Sequence, residues 1–208
     1  MGQTWLEYKY SFLGDFNSLI ESLSEIEKTG LLAKINSFPV TRAYENEVWR
    51  INISAERIDF YPKRIIAVDP APDEFFSAYK LLASMGEMKI ARIAINSTVL
   101  FGLDTPSVDT PIYKFGEVVI TGAYPAEFNH RINVQEKTSG MLVNNITTIS
   151  KGTFAVNNKP QMGVFIGFDI NTAPVKPNEY ITEMVSDVIT ANMVRLFIKA
   201  KEKYVKSL

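Results

Sequence analysis

With 208 residues, 46% of them hydrophobic and 22% charged, the chain can bury one core by itself and lies far from the polar composition of disordered segments. A net charge of −1, with basic residues scattered along the chain, lacks the electrostatic footprint of a duplex-binding protein, so nucleic acid is not an expected partner. The absence of cysteine excludes disulfides, thiolate nucleophiles and zinc–sulfur centres, and no stretch has the length and apolarity of a membrane-spanning helix; a soluble, cytoplasmic protein with no membrane association is expected.

Residues 4–12 alternate, with Leu6, Tyr8, Tyr10 and Phe12 on one side and Trp5, Glu7, Lys9 and Ser11 on the other, the period of a half-buried strand. From Asp15 the spacing changes to that of a helix through Phe16, Leu19, Ile20, Leu23 and Ile26, with Asp15 suited to cap its start and Gly30 to end it. Val48–Ser54 alternates again, Trp49, Ile51 and Ile53 inward and Arg50, Asn52 and Ser54 outward, and leads tightly into 57–61, which predicts a hairpin. The run 64–68 suggests a further short strand. Pro72, Asp73 and Glu74 then suit the first turn of a second helix with Phe75, Tyr79 and Leu82 on its apolar stripe, ending near Gly86.

Residues 89–101 are strongly apolar and rich in β-branched side chains, which predicts a strand crossing the middle of a sheet. Residues 102–111 carry Asp-Thr-Pro twice, turn chemistry that marks a loop. Strands are expected near 117–122, 127–136, 140–149 and 162–170 as a meander, followed by a helix from about 178 to 203. The fold class that follows is α+β: an extended, mainly antiparallel sheet with helices packed on one face, in a single domain over 1–208. A strand, an Asp, a Pro-containing turn and a helix occur at 65–75 and again at 167–180, which suggests two similar halves, 1–101 and 112–208, joined by the 102–111 loop.

The stretch Trp49-Arg50-Ile51-Asn52-Ile53-Ser54-Ala55-Glu56-Arg57-Ile58, a Trp-Arg-x-Asn pattern with a further Arg five residues on, resembles a strand pair in a large group of sporadically distributed bacterial proteins. Ile90–Asn96 and the closing Phe165–Ile170 strand with its long helix are similar to the same group, while 102–160 shows no correspondence. The resemblance implies this fold and a bacterial or phage source, and it implies no activity.

No Walker loop, dinucleotide-binding glycine turn or nucleophile elbow is present. The sole histidine, His130, shares a strand face with Phe128, Ile132 and Val134 and reads as a structural residue; no cofactor is expected. Asp69, Asp104, Asp109 and Asp169 lie at strand ends or in loops, where carboxylates could hold Mg²⁺ for a hydrolase or nucleotide-acting enzyme, or simply satisfy turns. The more pointed set is the outward face of the sheet: Arg50, Asn52, Arg57, Asp59, Arg92, Asn96, Arg131 and Asn133. Arginines and amides on one surface suit a protein partner or a small anionic ligand, so a non-enzymatic interaction or binding protein is the leading expectation. A homodimer is expected as one way to cover the edges of a long sheet.

Overall fold

The computed structural model describes residues 3–63, 72–86, 88–102, 112–115, 118–121, 128–156, 159–177, 179–181 and 183–205. The elements run β1 (Gln3–Asp15), α1 (Asn17–Thr29), β2 (Ala33–Ser37), β3 (Arg42–Glu45), β4 (Trp49–Ile53), β5 (Arg57–Pro62), α2 (Pro72–Ser84) and β6 (Lys89–Gly102). They continue with β7 (Ile112–Phe115), β8 (Val118–Thr121), β9 (Phe128–Thr138), β10 (Met141–Val156), β11 (Lys159–Thr172) and α3 (Glu183–Tyr204). Nine strands form one antiparallel sheet in the order β2-β3-β4-β5-β1-β6-β11-β10-β9, and β7 pairs with β8. The protein is therefore α+β, with three helices against a single open sheet.

Alternation decides which face those helices take. Tyr8, Tyr10 and Phe12 of β1, Trp49 and Ile51 of β4, Phe60 of β5, Ile93 and Ile95 of β6, and Ile166, Phe168 and Ile170 of β11 are all buried on one side. Phe75 of α2 meets the rings of Tyr10 and Phe12 at 4.8 and 5.3 Å, and Phe197 of α3 meets Tyr8 and Phe168 at 6.1 and 5.4 Å. Leu19, Leu23 and Ile26 bury the corresponding stripe of α1, and Tyr44 of β3 donates to Glu27 of that helix at 2.7 Å. Gly30 closes α1 in the left-handed conformation at φ 73°, its N–H donating to the Glu27 carbonyl. Asp15 sits at the end of β1, not inside the helix, and accepts from the backbone N–H of Asn17 at 3.2 Å.

The connectivity occurs twice. β1 pairs with β5, the last strand of the meander β2–β5, and α2 follows; β6 pairs with β11, the last of the meander β9–β11, and α3 follows. β1 and β6 lie antiparallel at the centre, in register from Gln3↔Phe101 to Asp15↔Lys89, so each set of strands grows outward from the same join.

Three details depart from the sequence reading. A bulge in β1 between Trp5 and Glu7 shifts the alternation by one, so Trp5, opposite Val99, faces the helices and lies 5.6 Å beneath the Lys201 ammonium. The last helix begins at Glu183, because the preceding segment is tied to β6 through Val175 N–H to Ala91 O and Ile181 N–H to Ile90 O. β2, β3 and β7 are additional strands. The runs 64–68 and 103–111 lie outside the described residues.

Candidate functional site

Among the described residues no helix packs on the side of the sheet opposite the core, and cross-strand register places every residue of the outward set on it. Asn52 stands opposite Asp59, which stands opposite Ser11; Arg50 lies between Glu45 and Tyr61. Arg57 and Arg92 flank Leu13 from either side. Asn96 lies between Lys9 and Asp169, Asn133 opposite Ile146, and Arg131 opposite Thr148. Side chains opposite one another in an antiparallel pair share a face, so Arg50, Asn52, Arg57, Asp59, Arg92, Asn96, Arg131 and Asn133 form one surface. His130, opposite Ile149, projects to the helix side and is exposed.

Across β5, β1, β6 and β11 this surface is a hydrogen-bonded band centred on Asp59, which is 9% exposed. Its Oδ1 accepts from Ser11 Oγ at 2.5 Å and from Arg57 Nε at 2.8 Å, and Lys9 Nζ lies 3.8 Å from Oδ2. Arg57 Nη2 also donates to Ser11 Oγ at 3.0 Å, and Asn96 Nδ2 donates to Asp169 Oδ1 at 2.9 Å. Burial pulls the Lys9 pKa down, but the 2.6 Å contact with Glu7 and the charge of Asp59 outweigh it, so the ammonium titrates above the ordinary lysine value. Lys9 and Arg57 are therefore held by internal carboxylates.

A second chain of amides crosses the other side: Gln135 Nε2 donates to Asn144 Oδ1 at 2.8 Å, and Asn144 Nδ2 donates to Asn171 Oδ1 at 3.0 Å. It ends on the fully buried Asn171, whose Nδ2 has no acceptor; Arg92 Nε is likewise buried without one. Asn171 stands opposite Ala94, two residues along β6 from Arg92, so these donors are diagonal neighbours on the same face with only a methyl group between their strands' positions. Beside the Asn96–Asp169 pair lies a depression of about 280 Å³, lined by Lys9, Arg57, Asn96, Thr98, Thr148 and Asp169 among others, with Gly167 leaving the site without a side chain on β11.

Among the described residues, no hydrogen bond or ion pair engages the guanidinium groups of Arg50, Arg92 or Arg131. The set read from sequence thus divides into one arginine committed to the fold, Arg57, and three left uncommitted. Sequence reasoning put Ser11 on the polar side of β1 without joining it to the face, and missed Asn144, Gln135 and Asn171, since their roles depend on strand order. Of the carboxylates considered as Mg²⁺ ligands, Asp169 is on this face, whereas Asp69, Asp104 and Asp109 lie outside the described residues. Among the described residues, no cluster of three or more His, Asp or Glu side chains is arranged to hold a metal ion. No helix among them is long and apolar enough to cross a membrane. No family model matches the chain, and no curated protein matches it.

Proposed function

We propose that the protein is a non-enzymatic interaction protein that binds a partner through the open face of its sheet. The observation that carries this reading is the placing of three uncommitted arginines on one face of the sheet: Arg50 on β4 and Arg131 on β9, both exposed, and the partly buried Arg92 on β6. β4 and β9 are six steps apart in the sheet order, about 29 Å at the usual spacing between strands. That span exceeds a small ligand and suits a protein surface carrying spaced carboxylates, since guanidinium groups pair bidentately with them. A smaller anionic ligand is favoured by one local observation, the buried donors Arg92 Nε and Asn171 Nδ2 that lack acceptors. The resemblance of Trp49–Ile58 to the sporadically distributed bacterial group adds an expected source to this reading and no activity.

Native mass spectrometry of the protein purified from its own host, beside an Arg50→Glu/Arg92→Glu variant, tests the proposal. The expected result is a copurifying macromolecule on the parent chain, reduced tenfold or more on the variant at unchanged thermal stability. Undiminished capture by the folded variant removes the face from the proposal, and a small bound mass in place of a protein selects the ligand reading.

A further inference from the structure

The sheet has two edges, and they differ in the way that decides whether an edge can pair. β2 is five residues long, and its pairing with β3 is interrupted by a register shift between Lys34 and Asn36, the kind of irregularity that twists an edge away from a flat partner. β9 is eleven residues long, and its register with β10 is unbroken from Phe128 to Thr138. It ends the sheet order, and among the described residues no strand or backbone hydrogen bond engages its outer side, where Val134 is 53% exposed. Ile132 and Val134 also line a groove of about 180 Å³ against Leu196 and Tyr204 of α3.

We propose that β9 pairs antiparallel with β9 of a second copy, about a two-fold axis at Asn133, to make one continuous sheet through a dimer. A two-fold axis perpendicular to the sheet keeps helix-side residues opposite helix-side residues, so the axis must pass through a residue. About Asn133, Ile132 faces the second copy's Val134 twice over, His130 faces Glu136, Arg131 faces Gln135, Asn129 faces Lys137, and the two Asn133 amides face each other. No like charges meet. Moving the axis one step to Val134 sets Arg131 against Lys137 and Ile132 against Glu136; moving it to Ile132 sets His130 against Val134. Of these three registers, the one about Asn133 matches charge and apolar groups best. In that dimer Arg131 and Asn133 of both copies line the seam, the two Arg131 four positions apart, and the two open faces run together.

This proposal stands apart from the partner reading above, and the chain's lack of cysteine makes it testable with single substitutions. Sedimentation at micromolar concentration is expected to give twice the 23.4 kDa chain mass. Asn133→Cys is expected to cross-link the dimer on mild oxidation, since residues directly opposite lie within disulfide reach. Gln135→Cys, displaced by four residues from its own copy, and Ile35→Cys on β2 are expected to stay uncross-linked. At the exposed position 129, Asn129→Lys is expected to raise the dimer dissociation constant about tenfold through two like-charged pairs, and Asn129→Asp to lower it. A monomer, cross-linking through position 35 or 135 in place of 133, or the same dissociation constant for both position-129 variants overturns the proposal.

Discussion

Gly14 shows how one residue can fix the central join. It sits at the second irregularity of the β1–β6 ladder, where an added Cβ would fall on the carbonyl oxygen of Lys89, a backbone atom that cannot rotate away. Gly14→Ala is expected to cost about 1–3 kcal/mol, read as a lowered urea midpoint. Tyr44 sets a pH dependence at the alkaline end. Burial and the hydrogen bond to Glu27 push its pKa up to about 12, against about 10 in an unfolded chain. A folded pKa above the unfolded one means the contribution is full below about pH 10 and is lost as pH rises toward 12. Tyr10, buried and bonded to Tyr8 and to Glu74 at 2.5 Å, is raised in the same sense. Tyr44→Phe is therefore expected to make the alkaline fall in stability shallower without abolishing it, as urea midpoints between about pH 9 and pH 11 would show.

At the scale of elements, α2 is anchored by Phe75 together with the buried Ala78 and Leu82. Phe75 packs edge-on to both Tyr10 and Phe12 and is 1% exposed, so Phe75→Ala is expected to cost about 3–5 kcal/mol in chemical denaturation, with a change in the near-ultraviolet signal of Tyr10. The elements legible in the sequence are those whose two sides differ chemically at every step. β1, β4 and β5 alternate apolar with polar, and α1 changes that period to a helical one between Asp15 and Gly30. β2 offers no such contrast, because all five of its residues are exposed, and β3 has only four. The same limit applies to the candidate site. Outward positions such as Arg50, Asn52 and Arg92 follow from local alternation. The partners that organise the face do not, for Ser11 meets Asp59 across 48 residues and Asn96 meets Asp169 across 73, and only the strand order brings them together.

For the whole molecule, the sheet order sets a gradient of local stability. β1, β6 and β11 have a neighbour on both sides and bury their inner residues beneath α2 and α3, whereas β2 has a neighbour on one side and no buried residue. Amide exchange is expected to be slowest in those three strands, approaching the rate of global unfolding, and fastest in β2; uniform exchange across the sheet would contradict this gradient. The doubled connectivity has a further consequence. Each set of strands brings its own closing helix, and the two sets meet along β1 and β6, the strands with which each begins. A chain severed between α2 and β6 would thus keep both meanders and their helices whole, and would present two matching edge strands for reassembly. Coexpressed fragments divided there should complement one another, while a cut inside either meander should not.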